Sequence, residues 1–361
     1  MNYFRYILLV LAAAIIIPLI NAQELITRCG SIKIDTEASR IARDYMASSS
    51  SRSTVSATVR VYVHIFRNTD GSNAATSINQ VQNEINNLIS DYNPGNICFA
   101  LIGVDFIDNS NLNSGMNVET DWALMLPYLR PGCLDIFYHS NLSDNIGLLG
   151  GWAYNIPGSY CSVSSCCLGS QRVTSHEVGH CLGLIHTHET AFGEEHIDGT
   201  NCSTKGDEVC DTPADPFSHV GESCFSATNA CSYTGNCEDP DGATNYSPPY
   251  NNIMSYWATG SYGCSMTTIT AGQFSRAHSF LVTSSTLMAL NSVPFAVYGP
   301  ASSSFWVFES GIYTLETVGS VDLFDDIEAS LQAEKVTLKP GFHGHPNSNG
   351  IISVKVPACN F

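Results

Sequence analysis

Positive charge is what this sequence has least of. Its 361 residues carry 15 Lys and Arg against 33 Asp and Glu, for a net charge of −18. A surface so poor in cations has little to offer a phosphate backbone. Nucleic acid is therefore excluded as a partner, and anionic membrane surfaces are poor ones. Long apolar runs are almost as scarce. The one candidate, YILLVLAAAIIIPLI, begins at residue 6, is short against the roughly 20 residues a bilayer span needs, and contains Pro18. No other segment is long and apolar enough to span, and no strong internal repeat is visible.

What is present sets the compartment. MNYFR is a weakly basic head, the apolar run follows, and Asn21-Ala22-Gln23 places a small residue at a cut. This predicts a signal peptide over 1–22, a secreted protein and no membrane span after its removal, the alternative being an uncleaved anchor. Fourteen cysteines agree with export into an oxidising space, and they crowd between Cys161 and Cys264. With 44% hydrophobic residues the chain can also bury a sizeable core. The acidity suits a calcium-binding protein but equally suits mere solubility.

Along the chain, residues 23–53 are mixed and end in a serine-rich linker. ATVRVYVHIF (57–66), CFALIGVDFID (98–108) and CLDIFYHSNL (133–142) read as strands, with GLLGGWAYN (147–155) as an edge strand. Apolar residues at helical spacing over 76–92 predict a helix, as does DWALMLPYLR (121–130). SQRVTSHEVGHCLGL (170–184) predicts the helix that carries the chemistry. Residues 189–263 have little periodicity and much Gly, Pro, Asp and Cys, the marks of a cross-linked loop region. Thr270 and Gln273 have capping-box spacing and open a helix expected to reach about residue 290. After 294 short β-like pieces predict a small all-β domain, 295–361.

The stretch HEVGHCLGLIH (176–186) carries the chemistry. Residues four apart lie on one face of a helix, so His176 and His180 can address one ion. Gly183 can adopt a left-handed conformation, end the helix and bring His186 up as a third ligand. Three neutral nitrogens suit Zn2+ and leave a fourth position for water. Glu177 is placed to accept that water's proton and pass it to a leaving amine. A structural zinc site would instead be closed and rich in cysteine.

That stretch matches the metzincin pattern H-E-x-x-H-x-x-G-x-x-H. NNIMSY (251–256) looks like the metzincin methionine turn, and GDEVCDTPADP (206–216) with TAGQFSRAH (270–278) narrows the likeness. Together they resemble the pappalysin-like, or cytophagalysin, metalloendopeptidases. The resemblance implies an α+β fold over 54–294: a twisted mixed sheet, a backing helix, an active-site helix, a loop-rich disulfide-bonded lower subdomain and a C-terminal helix. It implies His176, His180 and His186 as zinc ligands and Glu177 as base. Met254 would be the hydrophobic floor, and Tyr256 a donor to the oxyanion. It further implies Ca2+ held by Asp207 and Thr212 with backbone carbonyls. The acidic loop 238–242 reads as a turn rather than another ion site. Two departures are Cys181 and Ile185, where relatives often carry an aromatic residue.

RCGS (28–31) resembles the family's R-C-G pro-region segment, so that Cys29 would occupy the fourth zinc position until cleavage in 48–54 by an activating protease. The alternative is a disulfide at Cys29. If Cys29 is the switch, parity leaves Cys181 as a second thiol and twelve cysteines for bridges, with Cys202, Cys210, Cys224, Cys231, Cys237 and Cys264 pairing among themselves. Residues 300–361 resemble small stacked-β modules of exported Bacteroidetes-type proteins, which implies either binding to a surface or polymer or simple capping of the enzyme. WATGSYG (257–263), which in metzincins helps wall the pocket after the cut bond, holds no acidic side chain. That predicts no strong preference for Lys or Arg. The leading function is a secreted zinc endopeptidase made as a latent zymogen and acting on protein or peptide. The alternatives are an adhesion or binding protein on a protease fold, or a zinc hydrolase of a non-peptide amide.

Overall fold

The alternation of Val59, Val61, Val63 and Ile65 builds an interior strand of a five-stranded sheet. The computed structural model describes residues 29–30, 33–48, 57–169, 171–257, 262 and 264–291, with the backbone of eight short strands between 296 and 355. The strands are β1 (Ala57–Arg67), β2 (Ile97–Asp108), β3 (Leu134–His139), β4 (Gly151–Ala153) and β5 (Tyr160–Ser164). Their order is β2-β1-β3-β5-β4, parallel except for β4, which pairs antiparallel to β5 at the edge. Parallel strands are buried on both faces, and every residue of β3 is buried here.

One face carries α2 (Ile78–Tyr92) through Val81, Ile85 and Leu88, together with α3 (Val173–Cys181). The other carries an aromatic cluster of Phe66, Phe137, Trp152 and Tyr160. Helix α4 (Ala271–Thr283) closes the core with Phe274, Ala277 and Phe280. The expected α+β architecture is therefore present, with the active-site helix laid under the edge of the sheet.

Three expectations need correction. The C-terminal helix does not run unbroken to 290. The capping box forms between Thr270 and Gln273, but Ser284 is extended and a second helix, α5 (Ser285–Asn291), begins. The sequence VTSST at 282–286 explains the break, since β-branched and hydroxyl side chains are weak helix formers. Second, residues 36–48, read only as mixed pro-region, form helix α1 (Thr36–Ser48), capped by Asp35 Oδ1 accepting from the backbone of Glu37 and Ala38. Third, the strands beyond 295 do repeat in backbone. They form three parallel ladders whose partners lie about 20 to 23 residues apart, a recurrence that weakly similar coils can hide in sequence. The signal segment 1–22 and the linker 49–56 lie outside the described residues.

Candidate active site

Helix α3 starts without a side-chain cap, from Arg172 in the left-handed region at φ 56°. Helix α2 supplies the missing partners. Glu84, buried at 1% exposure on the apolar face, accepts from Gly169 N at 2.6 Å and Thr174 Oγ1 at 2.8 Å. Asp91 accepts from Ser175 Oγ at 2.6 Å, and Tyr92 donates its hydroxyl to the Ser175 carbonyl at 2.9 Å. Two carboxylates at the positive end of a short helix complement its dipole and fix its axis.

That axis sets the histidines. His176, His180 and His186 bring their three Nε2 atoms to within 3.0, 3.1 and 3.2 Å of one another. His176 donates Nδ1–H to the Ile253 carbonyl at 2.6 Å and His180 to that of Leu184 at 2.9 Å. A neutral imidazole carries one proton, so on these two rings Nε2 is a bare acceptor. Lone pairs converging at such distances repel unless a cation lies among them, and nitrogen donors of this kind suit zinc. The residues present fit the ion. Gly183, at φ 92°, makes the turn that presents His186. A Cβ at Gly179 would come within 2.5 Å of Met254 Sδ, so that glycine lets fully buried Met254 sit directly beneath the helix.

Glu177 is buried beside the triangle, and burial raises its carboxyl to about 8 against the lowering effect of a hydrogen bond from Cys29. One carboxylate oxygen accepts from the Cys29 thiol at 3.3 Å; the other is buried without a partner. The Cys29 Sγ and the three Nε2 atoms all lie within 4.8 Å of one another. Around Cys29 the chain pairs with β4 at Gly151. Tyr256 accepts from Cys29 N at 3.0 Å and donates to its carbonyl at 3.4 Å. Every residue expected at the zinc site, with Met254, Tyr256 and Cys29, is thus brought together.

The methionine turn is tied to α4. Asn252 and Gln273 exchange reciprocal amide hydrogen bonds at 2.8 and 3.1 Å, and Asn252 Oδ1 also accepts from Met254 N. The pair expected to hold calcium also meets: Thr212 Oγ1 lies 2.8 Å from both Asp207 oxygens. Burial raises Asp207 to about 8, and it raises Glu195, beside Asp207 and Asp215, to about 8 as well. Asp239, by contrast, spends its oxygens on the backbone of Ile197, Asp241 and Ala243, as expected of a turn. The six loop cysteines pair as 202–210, 224–237 and 231–264. The expectation of twelve bridged cysteines is corrected, because Cys161 is a further buried thiol, hydrogen-bonded to Cys181.

Several residues escaped the sequence reading. His188 stacks on His186 with ring centroids 4.9 Å apart and on Tyr256 at 4.7 Å. Asp215 accepts from Thr187 Oγ1 at 2.6 Å and Trp257 Nε1 at 2.9 Å, locking the chain after His186 to the chain after Met254. Only Glu84 left a readable sign, a carboxylate at helical spacing among Val81, Ile85 and Leu88. A small, partly open pocket beside His188 is lined by Glu189, Glu194, Glu195 and Asp215. Of the wall at 257–263, Trp257 and Tyr262 are described.

Comparisons with known proteins agree with this geometry. Residues 151–277 match the peptidase M43 family, described as pregnancy-associated plasma protein-A. An extracellular metalloprotease of Arthroderma gypseum is 28% identical over 268 residues, covering 69% of this chain and 81% of the relative. One from Arthroderma otae is 32% identical over 202 residues, covering 51% and 64%. Among solved structures, mature mirolysin of Tannerella forsythia in complex with a cleaved peptide aligns at TM-score 0.45 and 19% identity, covering 66% of this chain and 96% of that one. A promirolysin mutant from the same organism aligns at 0.46 and 18%, covering 72% and 95%.

Proposed function

We propose, from the premise that this chain is a pappalysin-like metalloprotease, that it is a secreted zinc endopeptidase held latent by its own residues 29–48. The observation that carries this reading is the triangle of converging Nε2 atoms, two of them freed by Nδ1–carbonyl bonds, with one carboxylate and one thiol against it. His176, His180 and His186 would hold the ion. When bound, zinc supplies Lewis-acid polarisation of water and of the scissile carbonyl.

The chain's own groups supply the rest. Glu177, with an unpartnered buried oxygen, takes the proton of the attacking water and returns it to the leaving amine. Its raised affinity for that proton suits a base that must also serve as acid. The Tyr256 hydroxyl, engaged by the Cys29 backbone in the latent chain, becomes a donor to the developing oxyanion once the stretch around Cys29 is displaced from the site. Met254 contributes shape and no chemistry. Secretion is supported by the extracellular naming of the relatives and by the disulfides of the loop region.

Calcium at Asp207 and Thr212 is part of the same reading, supported by the meeting of Asp207 with Thr212 and by the nearby buried Glu195, one oxygen of which has no partner. On the substrate, the wall at 257–263 speaks for indifference to basic residues, whereas the acidic pocket beside His188 favours them. Cleavage profiling on a peptide library separates the two: a dominant Lys or Arg after the cut bond rejects indifference.

The test of the function uses the full chain. Cys29→Ser is expected to cleave peptides without proteolytic processing, while the unmodified chain does not, and a chelator abolishes the activity. A Cys29→Ser chain that contains zinc and hydrolyses no peptide overturns the reading.

A further inference from the structure

Among the described residues the pro-segment touches the enzyme at the zinc site, along the short strand Lys33–Ile34 and on α1. The contact on α1 is polar and buried. Ser39 Oγ donates to Glu208 Oε2 at 2.6 Å, and Arg43 pairs with the other oxygen of the same carboxylate. Arg276 from α4 completes a ring: Nη1 donates to Glu208 Oε2 at 2.8 Å and Nη2 to Ser39 Oγ at 2.6 Å. The side chains of Glu208 and Arg276 are both 0% exposed. Around the ring, Ser39 and Ala42 are buried, and Ala38 packs against the core. The third nitrogen of Arg276, Nε, donates to the carbonyl of Gly183 at 2.9 Å, the residue whose turn presents His186.

We infer that the Glu208–Arg276 pair is the docking site of the pro-segment helix, and that this contact, separate from the Cys29 thiol, holds residues 29–48 on the enzyme after the connecting chain is cut. The inference rests on the latency reading above and extends it. A buried carboxylate shared by two arginines and a hydroxyl forms short charge-assisted hydrogen bonds, and losing one partner strands charge in a dry site. The helix is also joined to Cys29 by a short strand, Lys33–Ile34, paired with Asn155–Ile156. Weak attachments on one segment act as a multivalent ligand, so that releasing the thiol alone leaves the segment tethered. Opening the zinc site then requires only that the stretch around Cys29 lift away, whereas full loss of the segment also requires the α1 contact to break.

The test keeps the whole chain. A cleavage site for a sequence-specific protease is placed within 50–55 of the full-length protein, the chain is nicked, and retention of the pro-segment is followed by gel filtration. The nicked wild type should co-elute with its pro-segment. The Arg43→Ala, Ser39→Ala double variant should release it at least tenfold faster, and Cys29→Ser should be active yet retain the segment well beyond the double variant. Immediate release from the nicked wild type, or wild-type retention by the double variant, overturns the proposal. Should Cys29→Ser gain no activity while the double variant still releases its segment, the dock stands and the latency reading falls.

Discussion

At the scale of single residues, the site depends on which atom of each side chain is already engaged. On the proposed reading His176 and His180 suit a metal because backbone carbonyls take their Nδ1 protons and leave Nε2 bare. Glu177 is useful because it is buried with one oxygen unpartnered. Replacing it with Gln keeps the shape and removes the base. The expected outcome in a Cys29→Ser background is a fall in kcat by roughly 10²–10⁴, the usual worth of general acid–base catalysis, with zinc content unchanged. Steady-state kinetics alongside elemental analysis check this. The meeting of His176, His180, His186 and Glu177 was legible in the sequence, because four-residue helical spacing and a turn glycine convert position directly into geometry, while that of Met254 and Cys29 was read from the family resemblance. His188 and Asp215 were not, because their partners come from loops whose course depends on disulfides that spacing alone cannot assign.

At the scale of elements, two devices hold the frame. The first is the grip of α2 on α3. Helix α3 has only nine residues, too few to be stable by itself, and its start rests on Glu84. Glu84→Ala should remove three hydrogen bonds to a buried carboxylate, two of them from the start of α3 and the loop before it, and cost roughly 3 kcal/mol of stability, read by chemical denaturation, with a loss of zinc affinity that a surface substitution on α2 does not reproduce. The second device spans three adjacent strands, β2, β1 and β3. His64, 0% exposed, bonds Asp105 at 2.7 Å and Asp135 at 2.9 Å. Burial alone would lower its pKa, but the two carboxylates outweigh this and hold it above the ordinary 6.5. The folded state therefore binds this proton more tightly than the unfolded chain. The resulting stability is full below about pH 6.5 and is lost as pH rises through the raised value. Unfolding free energies measured across that window should fall with pH in the wild type and flatten in His64→Gln. An equal slope in both contradicts the assignment. The strands and helices themselves were legible from periodicity. The break at Ser284 and helix α1 were not, because the first is set by a run of weak formers at the end of a well-capped helix and the second by docking on α4.

At the scale of the whole molecule, the segments that narrowed the family resemblance prove to be parts of one connected structure. GDEVCDTPADP and TAGQFSRAH are joined by Glu208 and Arg276, and Arg276 reaches the Gly183 carbonyl at the turn before His186. Latency, the expected calcium loop and the zinc turn therefore share one buried ion pair, and α1 completes it. The most direct test of the central claim is zinc K-edge absorption spectroscopy on the full-length latent chain and on the same protein after removal of the pro-segment. The account predicts three nitrogen donors and one sulfur at ~2.3 Å in the first, and loss of the sulfur with retention of the nitrogens in the second. A latent form with no sulfur, with two or more, or with no zinc at all would contradict it.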